Sequence, residues 1–292
     1  MAVESAPGRR RSVGWMQIHT TDIGDITVHS IEDGHFLRDP TVMFPESDPS
    51  VWDEGWPAYG DGRLRISLGC FLLETPDGHV LVDTGIGTHA DIVGGEGGNL
   101  PLALDQLEVA PSEIATVVHT HLHPDHISGN VTPEGALAFP EATFSVHEAE
   151  LAFWQETDHP TGEAVRAIFG PVVDAGRHRT VTAETPITSR VSVIATPGHT
   201  PGHVSVVVDG GGGSKLVITG DVTHHPAQAR YPEWNAAFDI DQPQAAETRR
   251  RVFAMLADEG WVQASGHYPR PGLGRVSRAD GAFAMTLERS GA

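Results

Sequence analysis

Residues 119–126 read HTHLHPDH, which places four histidines and one aspartate in eight positions. The preceding SEIATVV reads as the lead-in to a short buried strand, so the chain must deliver several imidazoles together where that strand ends. His121 and His123 are two apart, and on an extended segment both rings face one side. Pro124 stiffens the turn. Asp125 and His126 follow as the chain enters a helix and can face a second, nearby position. The plain alternative is a solvated histidine-rich loop. The sharper one is a pair of metal ions, which many hydrolases hold roughly 3.5–4 Å apart as a clamp on the reacting oxygens.

One such motif leaves each metal short of ligands, and three candidates follow at strand ends. VIATPGHT offers His199, LVITGD offers Asp221 and VQASGH offers His267. A glycine stands directly before each, and the expectation is that it lets the backbone approach a metal closely.

The rest of the chain agrees with an α/β fold. ITVHSIE, RISLGCFLLET, HVLVDTG, IATVVHT and ATFSVH read as strands in the first half, with helices at NLPLALDQL and EAELAFWQE. SRVSVIAT, HVSVVVDG, KLVITGD and WVQAS repeat the style in the second half, with a helix over QPQAAETRRRVFAMLADEG stopped at Gly260. DGGGGSK lacks the order of a phosphate loop and reads as a hairpin turn. With 292 residues, 39% of them hydrophobic, the chain is long enough for a sizeable core. No linker or repeat divides it, so residues 15–292 are expected to form one domain. Residues 1–14 are expected to be a mobile tail, because GRRRSVGW has no apolar stretch behind its charge and does not read as an export signal. No apolar run reaches the roughly 18 residues of a spanning helix, so no membrane association and a cytoplasmic location are expected. A net charge of −20, from 19 basic and 39 acidic residues, repels phosphate backbones and argues against a nucleic-acid partner. The single cysteine, Cys70, excludes an intramolecular disulfide and reads as a buried thiol.

From about residue 67 to 269, the order H-x-H-x-D-H, then His, Asp and His, resembles the metallo-β-lactamase superfamily. The resemblance implies an αββα sandwich with the metal site at one edge of the two sheets. It implies that His121, His123 and His199 hold one metal, that Asp125, His126 and His267 hold the other, and that Asp221 bridges both. Asp83 in LVDTG matches a buried aspartate that orients a ligand. His203 reads as a hydrogen-bonding structural histidine and His119 as a core or supporting residue. An aspartate at 221, where some relatives carry cysteine, and the absence of an appended helical domain narrow the branch. The extension TVHSIEDGHFLRDPTVMFP and the segments TGDVTHHPAQ and YPEWNAAFD are similar to N-acyl homoserine lactone lactonases and methyl parathion hydrolases. Those lactonases carry a tyrosine three positions after the bridging aspartate. This chain carries His224 there, either in the same donor role or in a structural one.

The resemblance implies two divalent cations per chain, zinc first, with manganese, iron or cobalt accepted by the same ligands. A hydroxide bridging them would open a lactone or cleave a carboxylic ester, with Asp125, Asp221 and His224 as the catalytic side chains. The alternatives are a phosphotriester or aryl-ester hydrolase and a non-catalytic metal-binding domain. The expected partner is a small ester or lactone, and relatives of this branch are commonly homodimers. The segment FPESDPSVWDEGWPAYGDG carries Phe44, Trp52, Trp56 and Tyr59. These, with Trp154, are the expected pocket wall, either as a flap over the metals or, for the loop, as an interface.

Overall fold

The computed structural model of the chain describes residues 18–55 and 62–288. The expected tail at residues 1–14 lies outside them, as do Trp56 and Tyr59. Seven strands build the first sheet: β1 (His19–Ile23), β2 (Ile26–Arg38), β3 (Leu64–Thr75), β4 (Gly78–Val82), β5 (Ile114–Val118), β6 (Thr143–His147) and β7 (His178–Val181), side by side in that order. β1 to β4 pair antiparallel and β4 to β7 parallel. Six strands build the second: β8 (Val191–Ala195), β9 (Val204–Gly211), β10 (Ser214–Ile218), β11 (Val262–Ala264), β12 (Leu273–Ala279) and β13 (Ala282–Leu287). Here only β10 and β11 run parallel.

Alternation along the strands sorts their side chains into layers. Val28, Phe71, Leu73 and Val82 of the first sheet meet Val193, Val206, Leu216 and Leu273 of the second in the central core. The opposite face of the first sheet, with Leu72, Val117 and Phe144, is covered by Leu104, Trp154, Val165 and Phe169 from the helices Leu100–Gln106, Glu148–Glu156 and Gly162–Asp174. The outer face of the second sheet packs Val217 and Val276 against Val252, Phe253 and Leu256 of the helix Gln242–Glu259. That is an αββα sandwich, and each expected strand and helix falls within it. The Gln242–Glu259 helix starts where the Asp241 side chain accepts the Gln244 N–H at 3.0 Å. It stops at Gly260, whose φ of +66° is the left-handed cap that glycine adopts without strain. Gly162–Asp174 has no counterpart in the sequence reading because Pro171 interrupts its helical signal. Among the described residues no helix is long and apolar enough to cross a membrane.

Candidate metal centre

The seven expected ligands come together where strands of both sheets end. β5 runs into the 119–126 segment, whose last three residues open the short helix Pro124–Ile127. His199 sits in the turn between β8 and β9, Asp221 in the 3-10 turn Gly220–Val222 after β10, and His267 in the turn after β11. Donor atoms of His121, His123, His199 and Asp221 all lie within 4.8 Å of one another, and so do those of Asp125, His126 and His267. Asp221 stands between the groups. Its Oδ2 is 3.1 Å from His199 Nε2 and 3.6 Å from His121 Nε2, its Oδ1 is 3.2 Å from His126 Nε2, and His267 Nε2 lies beside both, 3.1 Å from Oδ1 and 3.2 Å from Oδ2.

Hydrogen bonds behind the rings decide which nitrogen faces inward. His126 Nδ1 donates to Asp83 Oδ2 at 2.8 Å, His199 Nδ1 to Asp239 Oδ1 at 2.8 Å and His267 Nδ1 to the Ser67 carbonyl at 2.7 Å. Thr120 Oγ1 donates to Asp83 Oδ2 at 2.8 Å, so it accepts from His121 Nδ1 at 3.1 Å. In all four rings it is Nε2 that is left facing the cluster, the nitrogen a cation would take. His123 points the other way round, with Nδ1 3.0 Å from His121 Nε2 and 2.9 Å from His199 Nε2. Converging lone pairs at that spacing suit a cation and not one another. His126 Nε2 and Asp221 Oδ1 are buried 3.2 Å apart yet make no well-aligned hydrogen bond, a geometry that suits donor atoms converging on a metal.

Protonation tendencies point the same way for the central groups. Burial, reinforced by the His126 and His199 charges respectively, holds His121 and His123 far below the ordinary imidazole value and keeps them neutral. Asp221 stays ionised: burial opposes this, but His267, His126 and His224 around it prevail. His199 is pushed up to about 9 against its burial, because Asp221 and Asp239 favour its charged form. A bound cation competes directly with that proton.

The supporting residues divide into those the sequence indicated and those it did not. Asp83, held at φ +57°, accepts from Thr120 N and from Thr120 Oγ1 as well as from His126. His203 Nε2 accepts the Asp221 N–H at 2.9 Å while its Nδ1 meets Thr196 Oγ1 at 2.8 Å, so it fixes the backbone of residue 221. His119 is fully buried against Phe144 and Phe169. Asp239 and Glu150 went unnoticed. Glu150 accepts from Leu122 N, Thr200 Oγ1, Gly202 N and Trp154 Nε1, tying the 119–126 segment to the 199–203 turn. A lone carboxylate in a loop and another in a helix carry no spacing signal that links them to histidines dozens of residues away.

Three expectations need correcting. Phe44 and Trp52 do not line a pocket: they stack at 5.6 Å in a buried cluster with Trp234, and Trp52 Nε1 donates to Ser47 Oγ at 2.9 Å. Trp154 is likewise buried, behind His123 at a ring separation of 5.3 Å, with its N–H given to Glu150 at 2.7 Å. The preceding glycines also serve close protein packing. A Cβ on Gly198, at φ +134°, would lie 2.3 Å from Ala245 N, and one on Gly220, at φ +50°, would lie 2.7 Å from His203 Nε2. The wall of the roughly 500 Å³ cavity over the cluster is instead built by Phe36, Arg38, Met43, Ile92, Phe238 and Ile240, with His123, Asp125 and His224 at its base.

The fold and this histidine–aspartate cluster define a metallo-beta-lactamase-type centre. A profile of the metallo-beta-lactamase superfamily matches residues 70–267, and the chain belongs to that superfamily. An N-acyl homoserine lactonase of Bacillus sp is 27% identical over 177 residues, which are 55% of this chain and 66% of the relative, so the match spans just under two thirds of that lactonase. Among solved structures, the dizinc quorum-quenching lactonase AidC superposes with a TM-score of 0.87 at 22% identity, covering 95% of this chain and 99% of AidC. The hydrolase AbOPH of the beta lactamase superfamily superposes with a TM-score of 0.86 at 26% identity, covering 95% of this chain and 99% of that one.

Proposed function

We propose that this chain is a di-metal hydrolase, with zinc as the working cations, that opens lactones of the N-acyl homoserine class. The observation that carries the reading is Asp221, a single buried carboxylate whose two oxygens face two sets of imidazoles. His121, His123 and His199 would hold one cation, Asp125, His126 and His267 the other, and Asp221 both. Cations so held supply a water acidified to near-neutral pKa and a polarised scissile carbonyl.

The chain's own groups do the rest. Asp83, Asp239 and the Ser67 carbonyl hold the rings in one tautomer, so the donor set needs no rearrangement when substrate arrives. Asp125 borders the cavity and is less buried than its neighbours. Its Oδ2 lies 3.6 and 3.7 Å from His126 and His267 Nε2, which leaves Oδ1 to accept a proton and return it to the leaving alkoxide. His224 lines the same cavity, stacks on His267 at 5.2 Å, and brings Nε2 to 3.1 Å from Asp221 Oδ2, while its Nδ1 has no hydrogen-bond partner. It takes the donor position toward the ester oxygen that tyrosine occupies in the similar lactonases. The central core draws on residues from Ile23 to Leu273, which supports treating residues 15–292 as one domain.

The test is proton release from N-hexanoyl homoserine lactone by protein of quantified metal content. The expected result is turnover at two metals per chain that disappears in Asp221→Ala. No turnover at full loading overturns the lactonase reading and directs the search to aryl esters and phosphotriesters.

A further inference from the structure

The cavity wall above the cluster is largely apolar, with His159, Thr161 and Arg38 as its polar side chains away from the cluster. Phe36, Met43, Ile92, Phe238 and Ile240 line it, and Ile92 and Phe238 remain 49% and 48% exposed at its mouth. Arg38, the last residue of β2, is the sole permanently charged cation among the described lining residues. Its Nε is shielded from solvent and has no hydrogen-bond partner. Nη2 makes one long contact, 3.4 Å to the Val93 carbonyl, and the guanidinium lies 5.2 Å over the Phe36 ring.

In a chain with a net charge of −20, a guanidinium would ordinarily be claimed by a carboxylate. The neighbouring Asp39 is turned away to accept from Thr41 N and Thr41 Oγ1, where it caps the helix Pro40–Met43. Among the described residues Arg38 makes no ion pair. A half-buried charged donor left short of acceptors in a substrate cavity is an unmade bond that a ligand can complete. Apolar surroundings favour a neutral acceptor, because a carboxylate would lose far more hydration on entering.

Building on the lactonase reading, we propose that Arg38 is a specificity-determining residue whose guanidinium donates to a neutral carbonyl oxygen carried by the substrate outside the scissile ester. The apolar wall then takes the remaining hydrocarbon. The substrate class is an ester or lactone bearing an amide-linked acyl chain, preferred over an alkyl lactone of equal length.

The test compares N-hexanoyl homoserine lactone with α-heptyl-γ-butyrolactone, in which two methylenes replace the amide. For metal-loaded wild type the ratio of the two kcat/KM values should favour the amide by about 10- to 100-fold, the range of a hydrogen bond to a charged donor. In Arg38→Met the ratio should collapse to near one, with the loss carried by KM, and Arg38→Lys should recover part of it. Equal losses on both substrates, or an unchanged ratio, overturn the proposal.

A binding arm separates this outcome from the lactonase reading itself. Calorimetry on metal-loaded protein compares the ring-opened N-hexanoyl-homoserine with 2-heptyl-4-hydroxybutanoate. Tighter binding of the amide that Arg38→Met abolishes sustains the proposal even where neither lactone is turned over, and then only the lactonase reading falls. Equal binding of the two acids by wild type, or binding of neither, overturns the role of Arg38 whatever the turnover.

Discussion

His199 Nδ1 and Asp239 Oδ1 lie 2.8 Å apart in the interior, and the other carboxylate oxygen of Asp239 accepts from Arg249 Nη2 at 3.1 Å and from Ala236 N at 3.0 Å. One ring of the cluster is therefore aimed by a carboxylate that is itself held by a buried guanidinium. Asp239→Asn keeps an acceptor for His199 but turns an amide N–H toward Arg249. Zinc affinity, read by competition with a chromogenic chelator, should fall by about 10- to 100-fold while the protein stays folded. Unchanged affinity would remove Asp239 from the account of the centre.

Stripping the metals should destabilise the whole fold. The cluster gathers lone pairs and carboxylates from four chain segments, and cations that bind only the folded form add their binding free energy to its stability. Removal by a chelator should lower the unfolding midpoint by about 10 °C or more, on the scale of a few degrees per kcal/mol for a chain of this size. Re-addition of zinc should restore it. A midpoint indifferent to chelation would contradict the arrangement of donors proposed here.

Asp221 and His203 are in contact yet should respond differently. Asp221→Ala removes the carboxylate common to both groups of imidazoles, so both metals and activity should be lost together. His203→Ala removes hydrogen bonds to Asp221 N and Thr196 Oγ1 and should cost about 1–3 kcal/mol of stability while retaining most of the metal. Metal analysis alongside chemical denaturation reads both.

The aromatic residues of the 40–55 region should behave as core. Trp52 packs between Phe44, His225 and Trp234, with ring separations of 5.6, 5.3 and 5.3 Å. Trp52→Ala should cost about 3–5 kcal/mol, measured by denaturant unfolding, with KM for a short-chain substrate unchanged in the folded protein. A large KM effect with little loss of stability would return this residue to the pocket wall.

A pH-dependent contribution is expected from Glu32. Burial raises its pKa, but the two-pronged pairing with Arg65 and the Ser67 hydroxyl outweighs burial and brings it below the ordinary value of 4.5. A folded-state pKa below the unfolded one means stability that is present above about pH 4.5 and lost as pH falls through the depressed value. Glu32→Gln should therefore be less stable than wild type at pH 7, and the gap should narrow below pH 4.5, where Glu32 loses its charge in the unfolded chain first. A gap that is constant with pH would place the effect in packing alone.

The amino-acid order alone settles what depends on near neighbours. Alternation along RISLGCFLLET and HVSVVVDG carries the strands, Gly260 carries the end of the last long helix, and the spacing within HLHPDH sets His121, His123, Asp125 and His126 around one turn. Each of these is decided within a few residues, where backbone geometry converts spacing directly into direction. Tertiary structure decides the rest. Asp239 reaches His199, Glu150 joins Leu122 to Thr200 and Gly202, and Arg38 faces Ile92 and Phe238 only because separate elements end at one place. Phe44, Trp52 and Trp154 show the limit most plainly. An aromatic side chain gains from burial against any apolar surface, so its presence in a loop or on a helix does not say which surface it will meet. Only the packed chain, with Trp234 and His225 waiting on one side and the cavity on the other, makes that choice.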